Sequence, residues 1–507
     1  MPPNILFVMT DNQRFDTIAA LGNELIYTPN LDRLVRRGLA FQRAYTTCTV
    51  CIPARYTIRT GCEVPTTRVF SNIEPRPLPT QPQGMEDRCG GPYLAKTMRR
   101  LGYRTFGIGK FHSRPWNEDL GYDVQLYSEE IFPDADRRGR DHYHAWLAKE
   151  HPEYDFVETP MGERTDMMYM PQMSPMPAHV NVEWWAADRA IEHLAAGDGR
   201  PYFGMVSFVG PHPALAPPVP FNRMYDPDRM PNPFRGDPAS DLMDPGIPGG
   251  NYGTYAEDVT DSRARVLKAR YYGEISYIDH GLGRILDAVE ARGDAENTLI
   301  AFFTDHGENF GDHGAWGKVN FFETACHIPF LVSWPSRLPA GQRRQELVCL
   351  ADLFGIATHA AGAAEVRQGI DVLGVLAGQA APRDAVFGYY GMPGVRQFRM
   401  MVRDQRYKYL FYANGGREQL FNLQEDPREL RNLAGEQGDL AKAMRAKAAA
   451  ACRDSGLVDA MDNDDLKVLE FRAPPLKRIV QFDKTRGVEG FPAHPGDAIK
   501  NYKFKTS

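Results

Sequence analysis

The sequence has no apolar run approaching the roughly 18 residues that a membrane-spanning helix requires, so no membrane partner is expected. It also lacks a basic excess. Lys and Arg total 59 against 65 Asp and Glu, a formal charge of −6, which offers no cationic stripe to nucleic acid. Cysteine is sparse and odd in number, seven in 507 residues with no regular spacing. That usage argues against a disulfide-stapled secreted domain and for a reducing compartment. The first apolar run, NILFVMTD from Asn4, has neither a basic leader before it nor a small-residue cleavage site after it. It reads as the first strand of a fold, and a cytoplasmic location is expected.

What is present suits a folded protein: 43% hydrophobic and 24% charged residues. A chain of 507 residues exceeds what one core usually organises, so a large domain plus a smaller one is expected. Four short apolar runs carry most of the information: Ile5 to Met9, Tyr103 to Ile108, Tyr202 to Val209 and Thr298 to Phe303. Only Arg104 interrupts them with a charge, and helical stretches separate them. Such runs predict a large, mostly parallel sheet covered by helices on both faces. After each run come polar residues able to do chemistry: Asp11 and Asn12; Lys110 and His112; His212; Asp305 and His306. In open α/β sheets ligands bind beyond the carboxyl ends of the strands, so these four segments are expected to meet at one site.

Helices are expected from Pro29 to Gly38, over 92–102, over 182–199 and over 269–293. Residues 210–255 are too rich in Pro and Gly for regular structure and read as a wall or lid. Past about Leu376 the pattern changes to strands with an NGG turn, then a helix at LAKAMRAKAAAA, a small antiparallel α+β unit. The expected division is a large α/β domain over 1–375, an α+β subdomain over 376–455, and a tail over 456–507. The tail is expected to pack over this molecule or a neighbouring subunit, and a homo-oligomer is expected.

The stretch CTVCIPARYTIRTG, residues 48–61, holds two cysteines three apart. A redox pair would open a helix after a strand within a compact βαβ unit, and a zinc site would need a second close pair of ligands; Cys62 and Cys89 are poorly spaced for that. A third reading needs only Cys51. Pro53 suits the first turn of a helix, which places Cys51 at or just before the N-terminus, where free N–H groups favour an anion. Arg55 and Arg59, four apart, share a helix face and are both expected to lean toward that anion.

Cys51-Ile52-Pro53-Ala54-Arg55 with Thr60-Gly61 resembles the C-x-P-x-R…T-G signature of type I sulfatases, a family of the alkaline phosphatase superfamily. NILFVMTDNQR, GIGKFH, VGPHPAL, FTDHGENFGDHGAWGK and YKYLFY…EQLFNLQEDPRELRNLA resemble further family motifs, in order from Asn4 to Ala434. The resemblance implies a sulfuric ester hydrolase in which Cys51 is oxidised to formylglycine by a maturation enzyme. The aldehyde hydrate then attacks the sulfur of a small-molecule or saccharide sulfate ester. It also implies a divalent cation on Asp11, Asn12, Asp305 and His306 together with the side chain at 51. Ca2+ is the expected ion, with Mn2+, Mg2+ or Zn2+ as alternatives, and Asn12 departs from the usual Asp or Gln.

Further roles follow from the same resemblance. Lys110 and His112, two apart at a strand end, are expected to point to the same side and together polarise and deprotonate the hydrate; the resemblance implies that His212 or Lys318 donates a hydrogen bond or proton to the leaving oxygen. Lys318 adds charge against sulfate, Arg55 orients the hydrate and the metal ligands, and Asn72 touches substrate oxygens. Cys48 is left structural and His313 braces a loop. His142, His144 and the methionines of 166–176 are candidate pocket residues. Trp116, Trp184 and Trp185 are available platforms, with ordinary packing the stronger reading for each. Phosphonate monoester and phosphodiester hydrolases resemble the same pattern and form the main alternative; Lys110 favours the sulfatase reading. A non-catalytic anion-binding protein, with Cys51 unmodified, is a second alternative.

Overall fold

The computed structural model describes residues 2–72, 84–130, 135–155, 171, 173–236, 260–363 and 365–472. The four apolar runs become strands β1 (Asn4–Thr10), β3 (Arg104–Gly109), β5 (Tyr202–Ser207) and β6 (Thr298–Thr304). Four more join them: β2 (Leu39–Tyr45), β4 (Val124–Tyr127), β7 (Phe330–Ser333) and β8 (Gln342–Cys349). The eight form one sheet in the order β4-β3-β5-β1-β6-β7-β2-β8. Every pairing is parallel except those of β7 with β6 and with β2.

Alternate residues of the central strands enter different cores, which is why the runs are apolar on both faces for most of their length. Leu6, Val8, Val206, Ile300 and Phe302 pack under the helices Val182–Ala195 and Asp261–Ala291. Ile5, Phe7, Phe203, Met205, Leu299 and Phe303 face the other side, under the helices Cys51–Thr60, Leu94–Arg100 and Asp352–Ala360. Each such side chain, fully removed from water, contributes about 1.5–3 kcal/mol before entropy is counted. The long helix begins at Asp261, ahead of the expected 269, because Thr260 caps it by accepting from the Arg263 N–H.

A second, antiparallel sheet has the order β12-β11-β10-β9. Its strands are β9 (Val386–Tyr390), β10 (Arg399–Arg403), β11 (Tyr407–Tyr412) and β12 (Arg417–Asn422), and the helix Gly438–Asp454 packs on it. One core cluster joins Met400, Phe411 and Met444 of this unit to Tyr45 and Cys349 of the large sheet and to Phe322 from the segment between β6 and β7. Beyond that helix the chain folds back on the same unit, where Leu469 exchanges backbone hydrogen bonds with Ala413 and Gly415. The expectations for 237–259, 473–507 and most of the methionine cluster (166–170 and 172) lie outside the described residues.

Gly109 marks the point where β3 delivers Lys110 to the sheet's carboxyl edge. Its φ is +108°, and a Cβ there would sit 1.9 Å from the Ser207 carbonyl oxygen, which accepts from the Lys110 N–H. Gly109→Ala is therefore expected to cost about 3 kcal/mol or more, seen as a lower urea midpoint with an unchanged slope.

Candidate active site

At the carboxyl edge, β3, β5, β1 and β6 lie side by side and present Lys110, His212, Asp11 and Asp305 to one another. The fifth component comes from the helix Cys51–Thr60, whose first residue is Cys51, after extended Val50. Its N-terminal N–H groups are partly satisfied by Asn72, whose Oδ1 accepts from Ile52 N at 2.9 Å. At the other end Gly61 takes a left-handed φ of +67° against the Phe354 ring, so the T-G pair closes the helix.

The Cys51 Sγ lies 3.2 Å from His306 Nε2, 3.4 Å from Lys318 Nζ and 3.8 Å from an Asp11 oxygen. One atom from each of Asp11, Cys51, Asp305 and His306 falls within a 4.8 Å set, all four residues buried. Arg55 binds both acids, with Nη2 to Asp11 at 2.8 Å and Nε to Asp305 at 3.1 Å. Its Nη1 reaches the Ser207 hydroxyl at 2.9 Å and the Lys110 carbonyl. Lys110 Nζ is 2.7 Å from Asp11, and Lys318 Nζ 3.8 Å.

Burial would raise the Asp11 carboxyl, but Lys110, Lys318, His212 and Arg55 outweigh it and hold that group well below the usual carboxylate range. Asp305 shifts upward through burial and the nearby charge of Asp11. His306 is pushed down to about 4, chiefly by burial. Its Nδ1 faces the Gly307 carbonyl at 3.1 Å, which turns a neutral Nε2 toward the cluster.

Two buried carboxylates repelling each other beside a neutral imidazole suit a divalent cation. The fit is strengthened by Asn12: Nδ2 donates to Glu308 at 3.1 Å, while Oδ1 is buried with no hydrogen-bond partner among the described residues. Its φ of +73° and its carbonyl, which accepts from Tyr271 Oη at 2.6 Å, fix that turn. An oxygen-rich set with one imidazole is the donor chemistry expected of such a site.

Several expectations change. Arg59 does not lean toward the nucleophile: its guanidinium bonds the Phe111 carbonyl and lies over the Tyr56 ring, steadying the segment between Lys110 and His112. Those two residues do not share a side through strand periodicity, because β3 has ended and His112 has a φ of +49°; Glu130 instead gathers both side chains. Asn72 meets helix backbone. Trp185 is core, Trp184 lies under the Arg284 guanidinium, and Trp116 faces Arg140 and Tyr127. His142 accepts from Tyr127 N and His144 pairs with Asp141. His313 stacks on Phe322 at 3.9 Å.

His212 is fully buried, with Nδ1 2.5 Å from the Pro213 carbonyl and 3.4 Å from Glu130, and with Nε2 unpartnered among the described residues. Burial pushes it down to about 3, with Lys318 and Lys110 adding to the effect against Glu130. Sequence reasoning missed Glu130, Ser207 and the Arg14 clamp. Arg14 donates to the carbonyls of Glu308 and Asn309 and pairs with Asp312 at 2.8 Å. Arg14 and Asp312 both stand inside motif stretches, DNQR and GDHG, so charge complementarity between those stretches was the available signal.

A cysteine at a helix N-terminus, a buried carboxylate–imidazole cluster suited to a divalent cation, and buried Lys and Arg side chains beside them are the equipment expected of a hydrolase of anionic esters. A family model described as Sulfatase matches residues 3–363, and one described as N-sulphoglucosamine sulphohydrolase, C-terminal, matches 311–451. The chain belongs to the sulfatase family of the alkaline phosphatase superfamily and is a sulfuric ester hydrolase. It is 27% identical over 453 residues to an arylsulfatase of Clostridium perfringens, covering 85% of this chain and 90% of that protein. A choline-sulfatase of Rhizobium meliloti is 28% identical over 458 residues, covering 85% and 82%. Among solved structures, the phosphonate monoester hydrolase of Agrobacterium radiobacter superposes with a TM-score of 0.71 at 26% identity, covering 90% of this chain and 96% of that one.

Removing Arg55 would strand two buried carboxylates. Arg55→Met is expected to lower stability by about 3–5 kcal/mol in the presence of a chelator. Excess divalent cation should recover part of that loss, both read by denaturant unfolding.

Proposed function

We propose that Cys51 is the precursor of a formylglycine whose hydrate cleaves a small-molecule or saccharide sulfate monoester. The observation that carries this is the position of Cys51: first in its helix, within 3.8 Å of Asp11, His306 and Lys318 together. The hydrate supplies one hydroxyl to attack sulfur and a second whose collapse to the aldehyde releases sulfate. Asp11, Asn12, Asp305 and His306 would hold a divalent cation, which supplies charge for the developing anion; Ca2+ is the proposed ion.

The remaining roles fall to this chain's own side chains. Arg55 fixes the two acids and so the angle at which the site meets residue 51. Lys318 lies within reach of the attacking atom and offsets sulfate charge. Lys110, bound to Asp11, sets the electrostatics of the attacking hydroxyl with His112 nearby. His212 presents Nε2 as the group that meets the leaving oxygen. Asn72 orients the helix N-terminus, a positioning role rather than the substrate contact expected of it. Seven buried, unpaired cysteines support a reducing, cytoplasmic setting, with a maturation enzyme acting on Cys51.

The superposition on a phosphonate monoester hydrolase supports phosphonate monoesters as a second substrate class for the same site. Turnover of a matched aryl sulfate and phenyl phosphonate separates the two, and a strong preference for the phosphonate would reverse the order proposed. The modification is read by mass spectrometry of the peptide Ala44–Arg55. It should lose one sulfur and two hydrogens and gain one oxygen at Cys51, with the Cys48 thiol retained; an intact thiol at Cys51 in active protein would sink the proposal. Cys51→Ala should abolish turnover, whereas Cys48→Ser should leave it largely intact.

A further inference from the structure

Glu130 belongs to none of the motifs that mark the family, yet three basic groups of the site converge on its carboxylate. Lys110 Nζ contacts it directly, His212 Nδ1 lies 3.4 Å away and His112 Nδ1 3.8 Å away. The side chain is only 11% exposed. Its neighbour Glu129 takes the backbone of the same segment, accepting from Phe111 N at 2.8 Å and His112 N at 2.9 Å. Glu129 thus holds the main chain while Glu130 meets the side chains. A carboxylate here repels an incoming sulfate, so packing alone is a poor reason for it.

His212 supplies the reason. Its Nδ1 is committed to the Pro213 carbonyl, and its Nε2 is buried with no partner among the described residues. To give a proton from Nε2 the ring must first carry two, in a space already holding two ammonium groups. The charged groups facing the ring are Glu130, Lys318, Lys110 and Asp11, with His112 across Glu130. Asp11 is engaged by Arg55 and Lys110, so Glu130 is the carboxylate beside the ring that can balance its charge.

Building on the sulfatase reading, we propose that Glu130 is a positioning residue whose charge lets His212 carry a second proton on Nε2 and deliver it to the departing oxygen. As the S–O bond breaks, its electron pair stays on the alcohol oxygen, which takes that proton. The imidazole is left neutral, to be reprotonated by solvent.

The test compares kcat/KM over aryl sulfates whose phenols span a range of acidity. Glu130→Gln should lose less than about threefold on 4-nitrophenyl sulfate, a good leaving group, and about 100-fold or more on phenyl sulfate. Glu130→Asp keeps the charge and should preserve the wild-type dependence on leaving group; a packing role would be harmed by the shorter chain as well. Equal loss by Glu130→Gln across the series, or Asp as damaging as Gln, overturns the proposal. Nitrogen-15 NMR of the His212 ring provides a readout without turnover. Glu130→Gln should lower the pH at which Nε2 gains its proton, and an unchanged titration overturns the proposal. If the wild type turns over no sulfate ester while that shift is present, the sulfatase reading fails and the charge-balancing role of Glu130 stands.

Discussion

One buried guanidinium holds the catalytic end of this molecule together. Arg55 touches Asp11 after β1, Asp305 after β6, Ser207 at the end of β5 and the Lys110 carbonyl after β3. Four strands that share a sheet but no local sequence are thereby tied to one helix. Arg is suited to this because its planar fork offers several donors in fixed directions, where a lysine would satisfy one acceptor at a time. The spacing also matters: Arg55 lies one turn after Cys51, so any displacement of the acids moves the nucleophile's helix with them.

The charges around that guanidinium fall into two groups. Asp11, Asp305, His306 and the amide oxygen of Asn12 have the chemistry to hold a cation. Lys110, Lys318 and His212 lie beside them and would favour an anion. Lys110 sits on the boundary, bonded to Asp11 on one side and Glu130 on the other. Isolated, each buried Lys, Arg or Asp here would be strongly penalised; interleaved, each is the reason the next can stay charged, while burial holds the two imidazoles toward the neutral form. The same interleaving makes the site a receptor for a negative ester without an overall basic protein, consistent with the net charge of −6.

The sequence was most legible where both faces of a strand are buried. β1, β5 and β6 are buried throughout, with polar residues only at their ends, and were plain as runs; no residue among the first five of β8, QRRQELVC, is buried, and β4, VQLY, is half-buried at every residue. QRRQELVC has neither the alternation nor the composition of a strand, and four residues are too few for the alternation of VQLY to mark one. Glu130 follows β4, so it was hidden for the same reason. The metal acids were legible because each ends a readable strand. Arg59 shows the limit of periodicity: spacing places the start of a side chain on a face, and what its long arm meets depends on tertiary structure. Asn72 was foreseen at the site, but its oxygen binds the backbone N–H of Ile52, a partner no spacing rule could supply.

The paired cysteines show how three residues can separate two environments. Cys48 precedes the helix and is packed with Tyr45, Phe321 and Tyr389 in the core between the two sheets, where burial pushes its thiol far up. Cys51 opens the helix and faces two carboxylates, an imidazole and an ammonium. A thiol in the first position is inert packing, and oxidation there would gain no catalytic partner. An aldehyde in the second, if formed as proposed, would lie among groups able to bind and polarise its hydrate. The difference between the two positions therefore lies in where the helix begins: a start one turn earlier would carry Cys51 into the helix and away from the free N–H groups and charges that surround it.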